Sequence, residues 1–230
     1  IGVVRGENIA LISDNRREWL ISDLAIQSIG CADVPRGCDS LGNEIRFIIS
    51  FADCRYGFFE NGKQLKKVLD KYDEVPLMTT AVVFDPLTAE ESEIASKYNN
   101  LTVYTFEELM KKGKSIYAEN TEESIKKIEA EMEATEPDEN ATIIFTSGTT
   151  GTPKGVMLTH KNYITQLSVI HNFIPCKKGD WWMSVLPVWH SFERLIQYVA
   201  ILFTAGLAYS KTVASVLIAD MAAIRPQWIC

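Results

Sequence analysis

Short apolar runs alternate with helical patterns along most of this 230-residue chain. That alternation constrains the fold more than any other feature. Strand-like runs occupy residues 9–13, 56–59, 78–84, 141–145, 156–158, 181–186 and 207–210, and another begins at Trp228. Between them lie helical patterns at 16–29, 41–54, 61–72, 159–174, 192–204 and 213–224. The first helix carries Trp19, Leu20, Leu24, Ile26 and Ile29 on its apolar positions and is ended by Gly30. Asn61 and Thr159 stand where side-chain caps belong. Val82, Val83 and Phe84 suit a strand covered on both faces. Strands separated by helices imply βαβ crossovers, so the expected fold is α/β, with mostly parallel sheets flanked by helices.

The rhythm is interrupted over residues 86–138, where Glu and Lys dominate and two charged helices are expected, at 106–117 and 122–134. Such helices are solvated on most of their surface, which places them outside the main sheet. The chain therefore reads as one domain in three stretches: a first α/β portion at 1–85, a charged helical insertion at 86–138, and a second α/β portion at 139–230. Net charge is −7, which argues against a nucleic-acid partner. The apolar stretch at 195–210 is too short for a membrane span and reads as a buried helix running into a strand. The cysteines, Cys31, Cys38, Cys54, Cys176 and Cys230, are odd in number and have no tight spacing. Reduced thiols, a cytoplasmic location and no metal site are the matching expectations.

The most informative segment follows the 141–145 strand: Thr146-Ser147-Gly148-Thr149-Thr150-Gly151-Thr152-Pro153-Lys154-Gly155. Glycines let backbone N–H groups approach a ligand closely, and short hydroxyls donate at small entropic cost. Lys154 adds a mobile positive charge. The combination suits the oxygens of a polyphosphate. It is not a Walker A loop, because Pro153 stands before the lysine and Gly155 after it, where that motif needs Gly and then Ser or Thr.

This segment closely resembles the phosphate loop of the adenylate-forming superfamily, which includes acyl-CoA synthetases, luciferases and peptide-synthetase adenylation domains. The resemblance implies that Thr146, Ser147, Gly148, Thr149, Thr150 and Gly151 hold ATP phosphates, with Lys154 as a supporting charge. A second stretch, Leu186-Pro187-Val188-Trp189-His190-Ser191-Phe192-Glu193-Arg194, is similar to the Leu-Pro-x-x-His-x-Phe-Glu-Arg segment of long-chain acyl-CoA synthetases. It implies that His190 lies near the reacting carboxylate, as the candidate catalytic residue, and Trp189 near the acyl-tunnel entrance. For Glu193 and Arg194 an intrahelical or cross-element ion pair is the expectation. A weaker likeness covers residues 9–35. There Arg36-Gly37-Cys38-Asp39-Ser40 replaces the usual continuation containing Tyr-Pro-Thr, so no function is assigned to 36–40.

Together these resemblances imply ATP-dependent activation of a long-chain fatty acid through acyl-AMP to acyl-CoA, with ATP and Mg²⁺ as cofactors and CoA as co-substrate. The partners implied are small molecules, with peripheral membrane contact for so apolar an acid. The family's adenine, ribose, hinge and C-terminal lid motifs do not occur in these residues. The stretch is thus expected to be an N-terminal part of such an enzyme, inactive alone. Two alternatives stay open: an adenylating enzyme for another carboxylic acid, and a nucleotide-binding protein that keeps the loop without turnover.

Overall fold

The computed structural model describes residues 1–146, 153–170 and 172–230. Among these residues the strands form two sheets. The larger runs β5-β4-β3-β1-β2-β6-β7. In chain order its first part comprises β1 (Asn8–Ile12), α1 (Arg17–Ser28), β2 (Ala32–Arg36), α2 (Gly42–Phe51), β3 (Tyr56–Phe59), α3 (Gly62–Leu69) and β4 (Thr80–Val83). Next come α4 (Ala89–Ser96), β5 (Thr102–Thr105), α5 (Phe106–Glu119), α6 (Thr121–Glu133), β6 (Asn140–Thr146) and β7 (Lys154–Thr159). The smaller sheet, β10-β8-β9, is built from β8 (Trp181–Ser184), β9 (Gly206–Tyr209) and β10 (Trp228–Ile229). Its helices are α7 (His160–Ile170), α8 (Ser191–Leu202) and α9 (Ala214–Ile224). All pairings are parallel except β6 with β7.

Alternation along β1 explains the layering. Ile9 and Leu11 face one side, where Trp19 and Ile26 of α1 pack on them with Phe58, Val82 and Phe84. Ala10 and Ile12 face the other, under Ile45, Ile48 and Ile49 of α2, Leu65 and Val68 of α3 and Ala95 of α4. The sheet is covered on both faces, so its strands read as continuous apolar runs. In the smaller sheet, Ile196, Val199 and Ala200 of α8 pack on Trp182, whose ring stacks on Trp228 at 5.2 Å.

This winding creates a topological switch. From β1 the chain moves through α1 to β2, on one side of β1. From β3 it moves through α3 to β4, on the other side and across the opposite face. The loops leaving β1 and β3 therefore diverge, and open α/β sheets bind ligands outside the carboxyl ends of strands at such a point.

The α/β expectation holds, as do both caps: Asn61 Oδ1 accepts from the Gln64 amide, and the Thr159 hydroxyl from the Asn162 amide. The 195–210 stretch is buried helix α8 running into β9. Helix α2 stops at Phe51, and Asp53 takes up the left-handed conformation at its exit (φ 52°). Two differences matter. Strand β2 has no counterpart in the sequence pattern, because Asp33 and Pro35 interrupt it. Pro35 is tolerated near the end of β2, where the recorded pairing to β6 is limited to Asp33 with Thr142. The 86–138 stretch is also more than a charged helical insertion: it contains α4 and supplies β5, paired to β4 from Thr102 to Thr105. Its helices α5 and α6 bury no residue completely, as their charge predicts, but Phe106 and Leu109 still pack on the α1 face.

Candidate functional site

The carboxyl ends of β1, β2, β6, β8 and β9 gather on one side of the molecule. A cavity of about 620 Å³ opens there, lined among others by Asp14 and Asn15 after β1, Glu60 after β3, Trp189, and Ser210 and Lys211 after β9. It lies at the switch point.

Of the residues expected to hold phosphate, Ser147, Gly148, Thr149, Thr150 and Gly151 lie outside the described residues. Their flanks are described. Strands β6 and β7 form an antiparallel hairpin, and Thr146 pairs directly with Lys154. Directly opposed residues project their side chains from the same face of a ladder. A hydroxyl and an ammonium, both exposed, thus stand together at the two ends of the Gly/Ser/Thr segment. This donor set fits phosphate oxygens. It offers no anionic ligand for Mg²⁺, which would be held through the oxygens of the nucleotide itself.

Trp189 and His190 occupy the turn between β8 and α8, where the His190 amide donates to the Pro187 carbonyl at 3.0 Å. His190 holds the N-cap position of α8, yet its side chain makes no capping hydrogen bond, and it is exposed. The Trp189 ring lies flush on Gly37: a Cβ there would sit 2.3 Å from a ring carbon, so only glycine admits the ring. The preceding residue, Arg36, donates to the Phe145 carbonyl at 3.3 Å, at the end of β6. The two halves of the candidate site are thus joined through consecutive residues, Arg36 holding the hairpin and Gly37 seating Trp189. Arg36 and Gly37, within the 36–40 stretch left without a role by the sequence, form this junction.

A buried charge cluster supports the same junction. Arg194, Asp23 and Asp33 are all fully buried. Arg194 Nη2 donates to Asp33 Oδ1 at 2.6 Å and to Asp23 Oδ1, and Nε donates to the Tyr198 hydroxyl at 2.8 Å. The Tyr198 hydroxyl in turn donates to Asp23 Oδ2 at 2.7 Å. The guanidinium lies 5.3 Å from the Trp19 ring centroid and 5.7 Å from that of Tyr163. Burial opposes its charge, but the two carboxylates overcome this and hold its pKa well above the ordinary value. Arg194 therefore makes the cross-element pair the sequence suggested. Glu193 makes no ion pair among the described residues. Its carboxyl is buried, neither oxygen has a hydrogen-bond partner, and burial pushes its pKa up.

Burial also pushes the Asp33 carboxyl up to about 6, against the pull of Arg194 and with a further push from Asp23. Asp33 Oδ2 has no partner, leaving an oxygen for the proton. A carboxyl whose folded-state pKa is raised contributes stability that is complete below its ordinary value and is lost as pH rises through the folded value. The wild type is thus expected to lose stability relative to Asp33→Asn between about pH 4 and 6, with a slope of up to about 1.4 kcal/mol per pH unit. Denaturant melts of both proteins across pH 4–7 check this, and a rising difference contradicts it.

All five cysteines are free. Asp14, Cys38 and Glu60 come together, their ligand-type atoms within 4.8 Å of one another. Those carboxylates are already engaged. Glu60 accepts from the Ser13 hydroxyl and the Asp14 amide, and Asp14 accepts from the Cys38 amide. Burial and both carboxylates push the Cys38 thiol upward, away from the thiolate a metal requires.

A family model described as AMP-binding enzyme matches residues 1–230. The chain belongs to the AMP-binding enzyme family. This AMP-binding chain is 31% identical over 231 residues to the probable acyl-activating enzyme 16, chloroplastic, of Arabidopsis thaliana, a match covering 100% of the chain and 31% of that protein. It is 30% identical over 226 residues to the long chain acyl-CoA synthetase 6, peroxisomal, of the same plant, covering 98% of the chain and 30% of that protein. Its fold matches the anthranilate CoA ligase AuaEII in complex with anthranoyl-AMP at a TM-score of 0.73 and 16% identity, over 99% of this chain and 40% of the other. The chain thus spans about a third of the length of the curated relatives it matches. The fold expectation and the family resemblance both hold.

The sequence did not reveal Asn15, Arg36, Gly37, Asp23 or Asp33 as parts of the site. The available signal was Asp33 itself, a charged residue between apolar neighbours that needs a buried partner.

Proposed function

We propose that this chain supplies the phosphate grip and part of the acid-side wall of an acyl-adenylating enzyme. The carrying observation is the Gly/Ser/Thr segment framed by paired Thr146 and Lys154, in a hairpin joined through Arg36 and Gly37 to the Trp189–His190 turn. In this reading a substrate carboxylate oxygen attacks the α-phosphorus of ATP, and pyrophosphate leaves. A CoA thiol then attacks the acyl carbon of the mixed anhydride, AMP leaves, and the thiol proton passes to solvent. Hydroxide is a poor leaving group and AMP a good one, which is why activation precedes transfer. Lys154 and the loop donors hold and neutralise the β- and γ-phosphates, and their contribution is positioning and charge stabilisation. Mg²⁺ bound to the nucleotide would add charge neutralisation. Ser147 through Gly151, like His190 as the group beside the carboxylate, enter on the family resemblance.

A long-chain fatty acid is the preferred substrate in this reading, supported by the name of the peroxisomal relative and by the 186–194 segment. A second reading, another carboxylic acid, is favoured by the structural likeness to an enzyme holding anthranoyl-AMP. No helix among the described residues is long and apolar enough to cross a membrane. Peripheral contact with a membrane surface belongs to this reading because a long-chain acid is itself apolar.

The test is ATP–pyrophosphate exchange, with the chain in the full-length context of its relatives, against carboxylic acids of graded length and against aryl acids. Exchange strongest with long-chain acids is expected. A preference for aryl or short acids selects the second reading, and no exchange with any acid sinks the proposal. The 230 residues alone are expected to form no acyl-CoA.

A further inference from the structure

The 186–190 turn carries Trp189 and His190, yet little of its own backbone holds it in place. The local bond is His190 N–H to the Pro187 carbonyl, and at the β8 end the Val185 and Leu186 amides donate to the Cys230 carbonyl. Two further backbone groups, the Leu186 carbonyl and the Val188 amide, are met by one side chain from another sheet. Asn15 Nδ2 donates to the Leu186 carbonyl at 2.6 Å and to the Ser184 hydroxyl at 3.0 Å, while Asn15 Oδ1 accepts from the Val188 amide at 2.9 Å. A carboxamide offers donors and an acceptor on one plane, so it can close on a backbone C=O and the N–H two residues later. Asn15 is itself fixed from both sides. Asp14 before it donates its amide to Glu60, and Arg16 after it stands at the N-cap position of α1 and pairs with Asp85 at 2.9 Å.

We propose that Asn15 is a positioning residue that clamps the 186–190 turn and thereby sets Trp189 and His190 against the phosphate hairpin. This rests on the adenylation reading. One amide hydrogen and the amide oxygen of Asn15 are spent on the turn and the other hydrogen on Ser184 at the end of β8, so the residue acts through them although it lines the cavity. Val188, whose amide it holds, is fully buried among the residues of the α1 face. Loss of the clamp therefore frees the turn at its middle while the hairpin keeps its own ladder.

Two variants test it. Asn15→Ala removes the clamp, and Asn15→Asp keeps size and acceptor but sets an oxygen against the Leu186 carbonyl. In the full-length context, kcat for acid-dependent exchange is expected to fall on the order of 10²-fold. KM for ATP should stay within about twofold, because the hairpin is untouched. A merely structural role would move both constants together or neither. In the 230-residue chain itself, the Val188 amide should exchange hydrogen at least about tenfold faster, while β1 and α1 amides keep their protection. Unchanged Val188 exchange in both variants overturns the clamp, as does unchanged kcat in an active enzyme. A wild type without exchange activity sinks the adenylation reading, and Val188 protection then decides the clamp alone.

Discussion

Arg194→Met is expected to destabilise the chain by about 3–5 kcal/mol, the cost of leaving buried carboxylates without their counter-charge. The side chain is fully buried, and its loss strands Asp23 and Asp33, neither of which has solvent to fall back on. Methionine fills most of the volume, so the effect is electrostatic and not a cavity term. The magnitude is a large part of the stability of an ordinary domain, about 5–15 kcal/mol. The cluster ties α8 to α1 through Asp23 and to β2 through Asp33, and so fixes α8, which packs on the smaller sheet, to the larger sheet. Guanidinium chloride melts of wild type and variant measure the difference, and a loss under about 1 kcal/mol contradicts the description. A triple variant, Arg194→Met with Asp23→Asn and Asp33→Leu, distinguishes the causes. Removing all three charges is expected to recover most of the loss, because buried ion clusters contribute little net stability over apolar packing.

The same cluster shows what the sequence carries and what it does not. Helices α1 and α2 were legible from apolar spacing, and the hairpin segment from its composition, because those signals are local. Strand β2 was not, since its recognition needs Arg194 as the partner of Asp33, 161 residues away. Out of context, Asp33 and Pro35 read as breakers of a strand. Asn15 presents the same difficulty in the site: its partners lie 169, 171 and 173 residues later, and no periodicity links them. Gly37 carries no local signal either, because the Trp189 ring that requires a glycine there comes from a distant part of the chain. The 86–138 stretch misled for a related reason. Its Glu and Lys content marks the exposed helices, and it masks the four-residue strand β5 that completes the sheet edge. Sequence pattern thus reports elements that fold by their own spacing. Residues whose structure is decided by a distant partner stay silent, and in this chain those residues join the two halves of the candidate site.

Lys154→Ala is expected to lower kcat/KM for ATP–pyrophosphate exchange on the order of 10²-fold while leaving stability within about 0.5 kcal/mol. The two halves of this prediction come from one observation. Lys154 begins β7 opposite Thr146, with its side chain exposed beyond the packed part of the hairpin. Core packing reaches Phe145, whose ring meets Phe47 and Phe51 edge-on at 6.4 and 5.8 Å, but not the lysine. Removing an exposed cation therefore costs the fold little. If the 146–154 segment grips phosphate, it removes a charge placed where negative charge accumulates as pyrophosphate departs. Lys154→Arg keeps the charge and is expected to retain more activity than alanine, though its planar fork will not reproduce a point charge. Exchange kinetics with equilibrium melts on the same preparations check both halves. A stable Lys154→Ala protein with undiminished exchange would remove this lysine from the phosphate grip. An unstable one would show that the hairpin depends on the residue for folding.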